Sequence, residues 1–346
     1  MSQHLIFGAG LIGGYMAGCF AAKGLKVTVL GREVMRKRFA GSLRITDYHK
    51  HQADVSAINF IADKHETDIE FDYLWLTVKC TGLEQALSDM TEFVSSKTVI
   101  LSCQNGLGSD ALVQTAFPDN IVRRVIMTSN VAQQSDTHLH RGSEGDLFIE
   151  AHSSDASGDL VGDDLERHDS LASLVSSPLL VAQNIDDMQA YSWAKLQINL
   201  ANAVNALADI PVKQMLQHRL YRKIIALTMN ELLQVTYAKG LVLPKIAAVA
   251  MPIIPKILNT PNFIFSIIGS KMMNIDPTVR TSMWWDLHNK RLSEVDFLNG
   301  AIVAEGKRLG INCPANQQIV DYVHAVEASD TREPFAPEKF LENLTN

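Results

Sequence analysis

The sequence of 346 residues is poor in cysteine and in net positive charge, and each scarcity excludes a class of protein. Its four cysteines, Cys19, Cys80, Cys103 and Cys313, are scattered without the spacing of a metal or redox motif. They are also too few to form a disulfide framework in a chain of this length. The formal net charge is −7, and no run of Lys and Arg is long enough to form a basic patch that binds nucleic acid. We therefore expect reduced thiols, no metal centre and no nucleic-acid partner.

Long apolar runs are also missing. The most apolar stretch, residues 241–275, is broken before about 18 clean residues accumulate, which a membrane span would need. The interruptions are four prolines and three lysines: Pro244, Pro252, Pro255, Pro261, Lys245, Lys256 and Lys271. We predict no membrane contact and, instead, a buried or dimer-facing pair of short helices, with a lid over the active site as the alternative. A homodimer through these C-terminal helices is a hypothesis from this stretch alone.

The beginning of the chain predicts a cytoplasmic protein. An apolar strand starts by His4, which leaves no room for a signal peptide. The length indicates two domains of ordinary size, each able to bury a core.

A glycine turn organises the first part of the sequence. Gly8, Gly10 and Gly13 follow the apolar run 5–7, open an apolar helix and precede a second strand at Lys26–Leu30. In this context the first glycine allows a tight turn, the second lets a pyrophosphate approach, and the third lets the helix pack closely on the strand. The pattern predicts a dinucleotide site; the alternative is a tight turn that binds nothing.

The end of the second strand indicates which dinucleotide binds. An NAD site usually carries an acidic residue there, whereas this strand is followed by Gly31, Arg32 and Glu33, with three basic residues at 36–38. A guanidinium at this point matches a ribose 2′-phosphate, so the residues favour NADPH. The alternative is that the basic cluster is a solvated helix start.

The middle of the chain predicts a mostly parallel sheet. The apolar run 71–79 is typical of a strand covered on both faces, and Lys79 lies at its carboxyl end, where ligands of such sheets collect. A second glycine turn, 104–108, follows the strand 98–103. Residues 138–150 resemble two antiparallel strands joined by a turn at 142–145. We place the domain boundary after residue 187, giving domains 1–187 and 188–346.

The second domain should be all-α, because helical periodicity runs through residues 190–209, 213–239, 277–289, 293–309 and 315–328. On the first of these helices Lys195, Asn199 and Asn202 share a narrow stripe opposite an apolar side. Such a polar stripe is either a site or a solvent-facing edge. Periodicity alone does not decide between them.

The stretch 282–300 offers further polar candidates. Ser293 and Asp296 form an S-x-x-D capping box that predicts a helix from about Glu294, a position where a carboxylate also suits the helix dipole. Ser282 and Asp286 could be ordinary surface residues, as could the basic pair at 290–291.

Together these motifs resemble the ketopantoate reductase family (2-dehydropantoate 2-reductase), over about residues 3 to 328. The matching features are the opening glycine turn, Lys79, Asn105-Gly106, Lys195-x₃-Asn199, Ser282-Met283 and the segment SEVDFLNG. The resemblance implies an α/β fold with an N-terminal Rossmann-type doubly wound sheet followed by an all-α C-terminal domain. It also implies NADPH-dependent reduction of a 2-oxo acid, with ketopantoate, reduced to pantoate, as best guess.

The resemblance implies roles residue by residue. Lys195 would be the proton donor and Glu294 the second catalytic residue, beside cofactor and substrate. Asn199 and Ser282 would bind substrate. The cofactor would be held by Gly8, Ala9, Gly10, Leu11, Ile12, Gly13, Arg32, Lys79 and Asn105, with Ala132 as a further contact.

Three positions depart from the family pattern. Gly82 stands where a glutamine is common, Ala203 where a second asparagine is expected, and Lys213 where a substrate asparagine is expected. These changes leave two alternatives to ketopantoate reduction: the same chemistry on a different 2-oxo acid, and a non-catalytic NADPH-binding sensor.

Overall fold

The structure is a computed structural model that describes residues 1–56, 58–151, 170–247, 249–270, 273, 277–331, 333 and 335–344. Its contacts divide the chain into two compact units. The first comprises Met1–Gln104 and Ser109–Met188, and the second comprises Asn105–Gly108 and Gln189–Asn346. The second glycine turn therefore lies with the second unit, although strands of the first unit flank it in sequence.

The first unit is built on a large mixed sheet and a small one. Its described strands are β1 Gln3–Phe7, β2 Lys26–Leu30, β3 Ser42–Asp47, β4 Gln52–Ser56, β5 Asn59–Ile61, β6 Tyr73–Leu76, β7 Val99–Ser102, β8 Val122–Met127, β9 Val131–Ser135, β10 His138–Arg141, β11 Leu147–Glu150 and β12 Ala182–Ile185. The large sheet has the order β12-β11-β8-β7-β6-β1-β2-β5, with parallel pairing from β5 to β8 and an antiparallel β8–β11 pair. The predicted fold class is confirmed.

The predicted hairpin at 138–150 is wrong. β10 joins the small sheet, of order β4-β3-β10-β9, while β11 joins the large one. The connection turns at Gly145, whose φ of +136° and close approach to the backbone of Ser129 leave no room for a side chain. The neighbouring Asp146 then exchanges backbone and hydroxyl hydrogen bonds with Thr128, at the end of β8. The chain thus passes from one sheet to the other instead of folding back on itself.

Helices of the first unit cover these sheets. They are α1 Leu11–Ala22, α2 Arg36–Phe39, α3 Leu83–Asp89, α4 Ser109–Ala116 and α5 Leu171–Val175. α1 is buried along most of its length because it contacts strands of both sheets. This position explains why its sequence is apolar on nearly every face.

The described part of the second unit is helical. Its helices are α6 Met188–Ala208, α7 Val212–Gln217, α8 Arg219–Ala238, α9 Ile254–Leu258, α10 Asn262–Ile268, α11 Ser282–His288, α12 Asn299–Leu309, α13 Pro314–Glu327 and α14 Pro337–Asn343. The predicted helix 213–239 is two helices that meet at His218. The predicted helix 277–289 is shorter than its periodicity indicated. One apolar core joins them, centred on α6 and α8.

The predicted helix start near Glu294 is also wrong. Residues Val295–Phe297 form a single 3-10 turn, and α12 begins only at Asn299. The Ser293 hydroxyl accepts the N–H of Val295, two residues later, and it does not cap α12. At the end of this turn, the carbonyl of Phe297 accepts the N–H of Leu107, from the second glycine turn.

The apolar stretch 241–275 contains short helices, α9 and α10, as predicted. Arg222 of α8 anchors them. Its buried guanidinium donates to the carbonyls of Leu258 and Thr260, and to Asn262, and it lies 4.1 Å from the ring centroid of Phe265. Within the described ranges, no helix is both long and apolar enough to cross a membrane.

Candidate active site

The glycine turn between β1 and α1 has the geometry of a phosphate cradle. A Cβ on Gly13 would lie 2.1 Å from the carbonyl oxygen of Gly8, so the helix can approach the strand only with glycine there. A Cβ on Gly10 would meet no described atom within 4 Å, which leaves the backbone open to a ligand. The first-turn N–H groups, at Leu11, Ile12 and Gly13, point out of the helix N-terminus. These residues fit a dinucleotide pyrophosphate.

The basic residues that follow β2 differ in whether they form ion pairs. Arg36 pairs with Glu33 and Glu66, while Lys37 pairs with Asp136. Arg32 is exposed, and among the described residues no ion-pair partner is found for it. Of these basic side chains, Arg32 is therefore the one best placed to accept a phosphate from solution.

Arg38, the last basic residue of the cluster, is hydrogen-bonded to the backbone of the first glycine turn. Its buried guanidinium donates to the carbonyl of Ala9 at 3.4 Å and to the side chain of Gln133 at 2.8 Å. Gln133 follows the exposed Ala132 on β9, so the predicted cofactor contact at Ala132 lies on a strand tied to the glycine turn.

Lys79 also lies at the predicted edge of the large sheet. It is exposed and precedes a 3-10 turn at Cys80–Gly82, three residues after the end of β6. Gly82 adjoins the start of α3, and a Cβ there would meet no described atom within 4 Å. A longer side chain at 82 could be accommodated, so the departure at this position removes a side chain without reshaping the backbone.

On α6 the polar stripe of Lys195, Asn199 and Asn202 lies on a different face from the leucines and valine of the core, as the periodicity predicted. Leu196, Leu200 and Val204 are fully buried, while Lys195 is half-buried on the adjoining face. Burial of its ammonium lowers the pKa of Lys195 from its usual 10.5 to about 8. An amine with this pKa holds a proton at neutral pH and releases it more readily than an exposed lysine.

Asn199, one turn beyond Lys195, lines a pocket of the second unit. Four separate stretches of sequence meet there: the second glycine turn, α6, α11 and the turn before α12. The lining residues are Asn105, Asn199, Asn202, Ser282, Met283, Asp286, Glu294 and Leu298. The pocket thus brings together four of the predicted site residues, namely Asn105, Asn199, Ser282 and Glu294.

The pocket also contains residues that sequence reasoning did not assign to the site. Asp286 was weighed as an ordinary surface residue, yet it is only 4% exposed. It stands four residues after Ser282 on α11, so the two share a helix face, and that spacing was the available signal. Asn202 was on the predicted stripe but not among the assigned residues. Met283 and Leu298 lie in the motifs Ser282-Met283 and SEVDFLNG, which carried the family resemblance, but neither was assigned a role in the site.

Ala203, where a second asparagine was expected, is fully buried in the helical core. Asn202, one residue earlier, supplies an amide to the pocket in its place. The third departure, Lys213, is a half-buried residue of α7 and is not among the pocket residues.

A close contact joins the second glycine turn to the segment that carries Glu294. Gly106 has a φ of +86°, and a Cβ there would lie 2.3 Å from the carbonyl oxygen of Phe297. The N–H of Leu107 donates to that same oxygen at 3.1 Å, and the N–H of Phe297 donates to the carbonyl of Glu294. Asn105 and Glu294 therefore reach the pocket from two segments that are locked together.

These features are those expected of a dinucleotide-dependent oxidoreductase: a glycine turn that fits a pyrophosphate and, in the second unit, an amide-lined pocket. A cation that can give up a proton stands one helical turn from the pocket asparagine, which suits reduction of a carbonyl. Among the described residues, no group of three or more His, Cys, Asp or Glu is placed to hold a metal ion.

Comparison with known families identifies the chain. The model "Ketopantoate reductase PanE/ApbA" matches residues 4–154, and "Ketopantoate reductase PanE/ApbA C terminal" matches residues 187–327. The chain therefore belongs to the ketopantoate reductase family, whose members are oxidoreductases that use NADPH. The predicted family and cofactor are confirmed.

Individual relatives are distant. The 2-dehydropantoate 2-reductase of Streptococcus pyogenes serotype M3 is 25% identical over 264 residues, which cover 76% of this chain and 78% of the relative. A PanE/ApbA family ketopantoate reductase from Ralstonia eutropha JMP134 superposes with a TM-score of 0.74 at 23% identity, covering 94% of this chain and 98% of that one. D-mandelate dehydrogenase, solved with NADH and anilino(oxo)acetate, has the same TM-score and coverage at 19% identity. The two structures show a shared fold.

Proposed function

We propose that the protein reduces a 2-oxo acid with NADPH and that 2-dehydropantoate is the substrate, giving pantoate. The observation that carries the proposal is the pocket in which Asn105, Asn199, Ser282 and Glu294 converge from separate stretches of sequence. The curated relatives named 2-dehydropantoate 2-reductase support the choice of substrate.

Bound NADPH supplies the hydride. Reduction places negative charge on the carbonyl oxygen, so a proton donor must be within hydrogen-bond reach of it. In this proposal the ammonium of Lys195 donates that proton, and its lowered pKa makes the transfer easier. Asn199 holds the same oxygen or a neighbouring hydroxyl without changing its own charge.

Ser282 and Glu294 serve the rest of the substrate. The Ser282 hydroxyl donates to an acceptor oxygen of the oxo acid, and the Glu294 carboxylate accepts from a substrate hydroxyl or orients the lysine ammonium. On the cofactor side, residues 8–13 hold the pyrophosphate and Arg32 pairs with the 2′-phosphate. Lys79, Asn105 and Ala132 are further proposed cofactor contacts.

A different 2-oxo acid is the second candidate substrate. Ala203 and Lys213 depart from the family pattern at substrate positions, and a neighbour of the same fold is a D-mandelate dehydrogenase. An aromatic or branched 2-oxo acid would then replace 2-dehydropantoate. A sensor that binds NADPH without turnover is disfavoured, because a sensor needs neither the lysine nor the carboxylate.

The test is NADPH oxidation against a panel: 2-dehydropantoate, phenylglyoxylate, 3-methyl-2-oxobutanoate and pyruvate. We expect the highest kcat/KM with 2-dehydropantoate. A higher value with another member would replace the substrate but keep the chemistry. NADPH binding with no turnover of any member would overturn the reductase in favour of the sensor.

We propose a cytoplasmic location and a homodimer formed through the apolar helices of the stretch 241–275. Several large apolar side chains of this part of the second unit are exposed, among them Phe263 and Ile267 of α10, at 70% and 73%.

A further inference from the structure

The buried amide of Asn205 does not line the pocket but is hydrogen-bonded to the residue that precedes Ser282 of the pocket. Asn205 of α6 is fully buried, and both ends of its side chain are used. Its Nδ2 donates to the carbonyl of Ile210 at 2.7 Å, and its Oδ1 accepts the N–H of Thr281 at 3.1 Å. Thr281 is the residue directly before Ser282.

Thr281 also connects the two helices that line the pocket, α6 and α11. Its hydroxyl donates to the carbonyl of Asn202 at 3.2 Å and accepts the N–H of Trp284, which caps α11. Asn202 and Ser282 both line the pocket. Thr281, whose backbone N–H is held by Asn205, therefore links these two walls directly.

We propose that Asn205 is a positioning residue: acting through Thr281, it fixes Ser282 against Asn202 and so sets the affinity for the oxo acid. The inference rests on the proposed function. Removing the amide would leave the N–H of Thr281 and the carbonyl of Ile210 without their buried partners, and such groups move until water or another partner reaches them. α11 would shift at its first turn, while Lys195, two to three turns earlier on α6, would keep its place.

The experiment compares Asn205→Ala with Gln197→Ala. Gln197 is a matched control, because it is also a fully buried amide of α6 with a hydrogen bond to a backbone carbonyl, that of Met251, and it is not among the pocket residues. We expect Asn205→Ala to raise KM for the oxo acid about tenfold, with kcat and KM for NADPH changed less than about threefold. Gln197→Ala should lower the melting temperature with KM unchanged.

A second pair keeps the test decisive if Asn205→Ala does not fold. Thr281→Ser retains the hydroxyl and should behave as the wild type, whereas Thr281→Val loses both hydroxyl bonds and should raise KM like Asn205→Ala. If Asn205→Ala or Thr281→Val leaves KM within about twofold, Asn205 has no positioning role.

Hydrogen exchange separates this proposal from the proposed function. If the wild type reduces no 2-oxo acid, the function fails, and amide exchange around Thr281 and Trp284 then decides the positioning role. We expect exchange there to be at least about tenfold faster in Asn205→Ala than in Gln197→Ala. Equal exchange rates would overturn the inference.

Discussion

Lys195 combines two properties that a surface lysine lacks: a fixed place on a helix and a pKa lowered to about 8 by burial. Because the amine must be protonated to act as an acid, its useful range is below that pKa. Neighbouring amides can bind a carbonyl oxygen but cannot supply the proton. Of Lys195 and Asn199, only the lysine can therefore donate a proton to a carbonyl oxygen.

Lys195→Ala should lower kcat by about 100-fold or more with little change in NADPH affinity. In the wild type, kcat/KM should fall as the pH rises through about 8, because the ammonium is lost. Steady-state rates from pH 6 to 10 check both statements. Lys195→Arg is the control, since arginine keeps the charge but does not release a proton at these pH values. A fully active Lys195→Arg would remove the proposed role.

Arg32 should decide between the two nicotinamide dinucleotides. Arg32→Ala should raise KM for NADPH about tenfold or more and leave KM for NADH unchanged, because only NADPH carries the 2′-phosphate. Lys37→Ala is a matched control: its exposed cation is already paired with Asp136, so its loss should change neither value. Equal effects of both variants would show that the cluster acts only through its general charge.

At the scale of elements, the proposed site depends on contacts between segments that belong to no α-helix or strand. The turn Asn105–Gly108 and the 3-10 turn Val295–Phe297 have no regular ladder between them, yet the Leu107–Phe297 hydrogen bond and the close approach of Gly106 lock them together. Elsewhere in the helical unit, the side chain of Arg222 hydrogen-bonds to the ends of α7 and α9 and to the start of α10. Both arrangements can be tested with neighbouring residues as controls.

Gly106→Ala should lower kcat/KM for the oxo acid about 100-fold, because the added Cβ would push the Phe297 carbonyl, and Glu294 with it, away from the pocket. Gly108→Ala is the control. Gly108 has a similar φ, +90°, but a Cβ there would meet no described atom within 4 Å. The two variants share the backbone strain and differ in the clash. Equal losses of activity would mean that strain, and not displacement of Glu294, is responsible.

Arg222→Met should lower the free energy of unfolding of the helical unit by about 3 kcal/mol or more, because several buried carbonyls would lose their charged donor. Arg219→Met, an exposed position on the same helix, should change it by less than about 0.5 kcal/mol. Denaturant unfolding followed by circular dichroism at 222 nm gives both values. Similar stabilities of the two variants would contradict the anchoring role of Arg222.

At the scale of the whole molecule, the open question is self-association. The predicted dimer contact is the exposed apolar part of α10, where Phe263 and Ile267 follow each other at helical spacing. Exposed apolar groups of this size are a usual component of interfaces between subunits. The chain mass of 38.2 kDa sets the scale for the measurement.

Sedimentation equilibrium at micromolar concentration should give about twice 38.2 kDa. Phe263→Glu combined with Ile267→Glu should return the mass to that of one chain, because buried charges destabilise an apolar interface. Val34→Glu, on an apolar residue of the first unit that is 65% exposed, is the control and should leave the dimer intact. A wild type that sediments as one chain would reject the dimer.

The amino-acid sequence by itself determined the features that arise from local patterns: the glycine turn between β1 and α1, the apolar strands, the helical second unit and the stripe on α6. These follow from neighbouring residues, whose periodicity and backbone freedom are visible along the chain. Tertiary structure alone decided that β10 and β11 lie in different sheets and that α12 starts five residues after Glu294. It also decided that Asp286 and Asn202 belong to the pocket. Each of these depends on partners far away in the sequence, such as Leu107 for Phe297, and no local pattern reports such a partner.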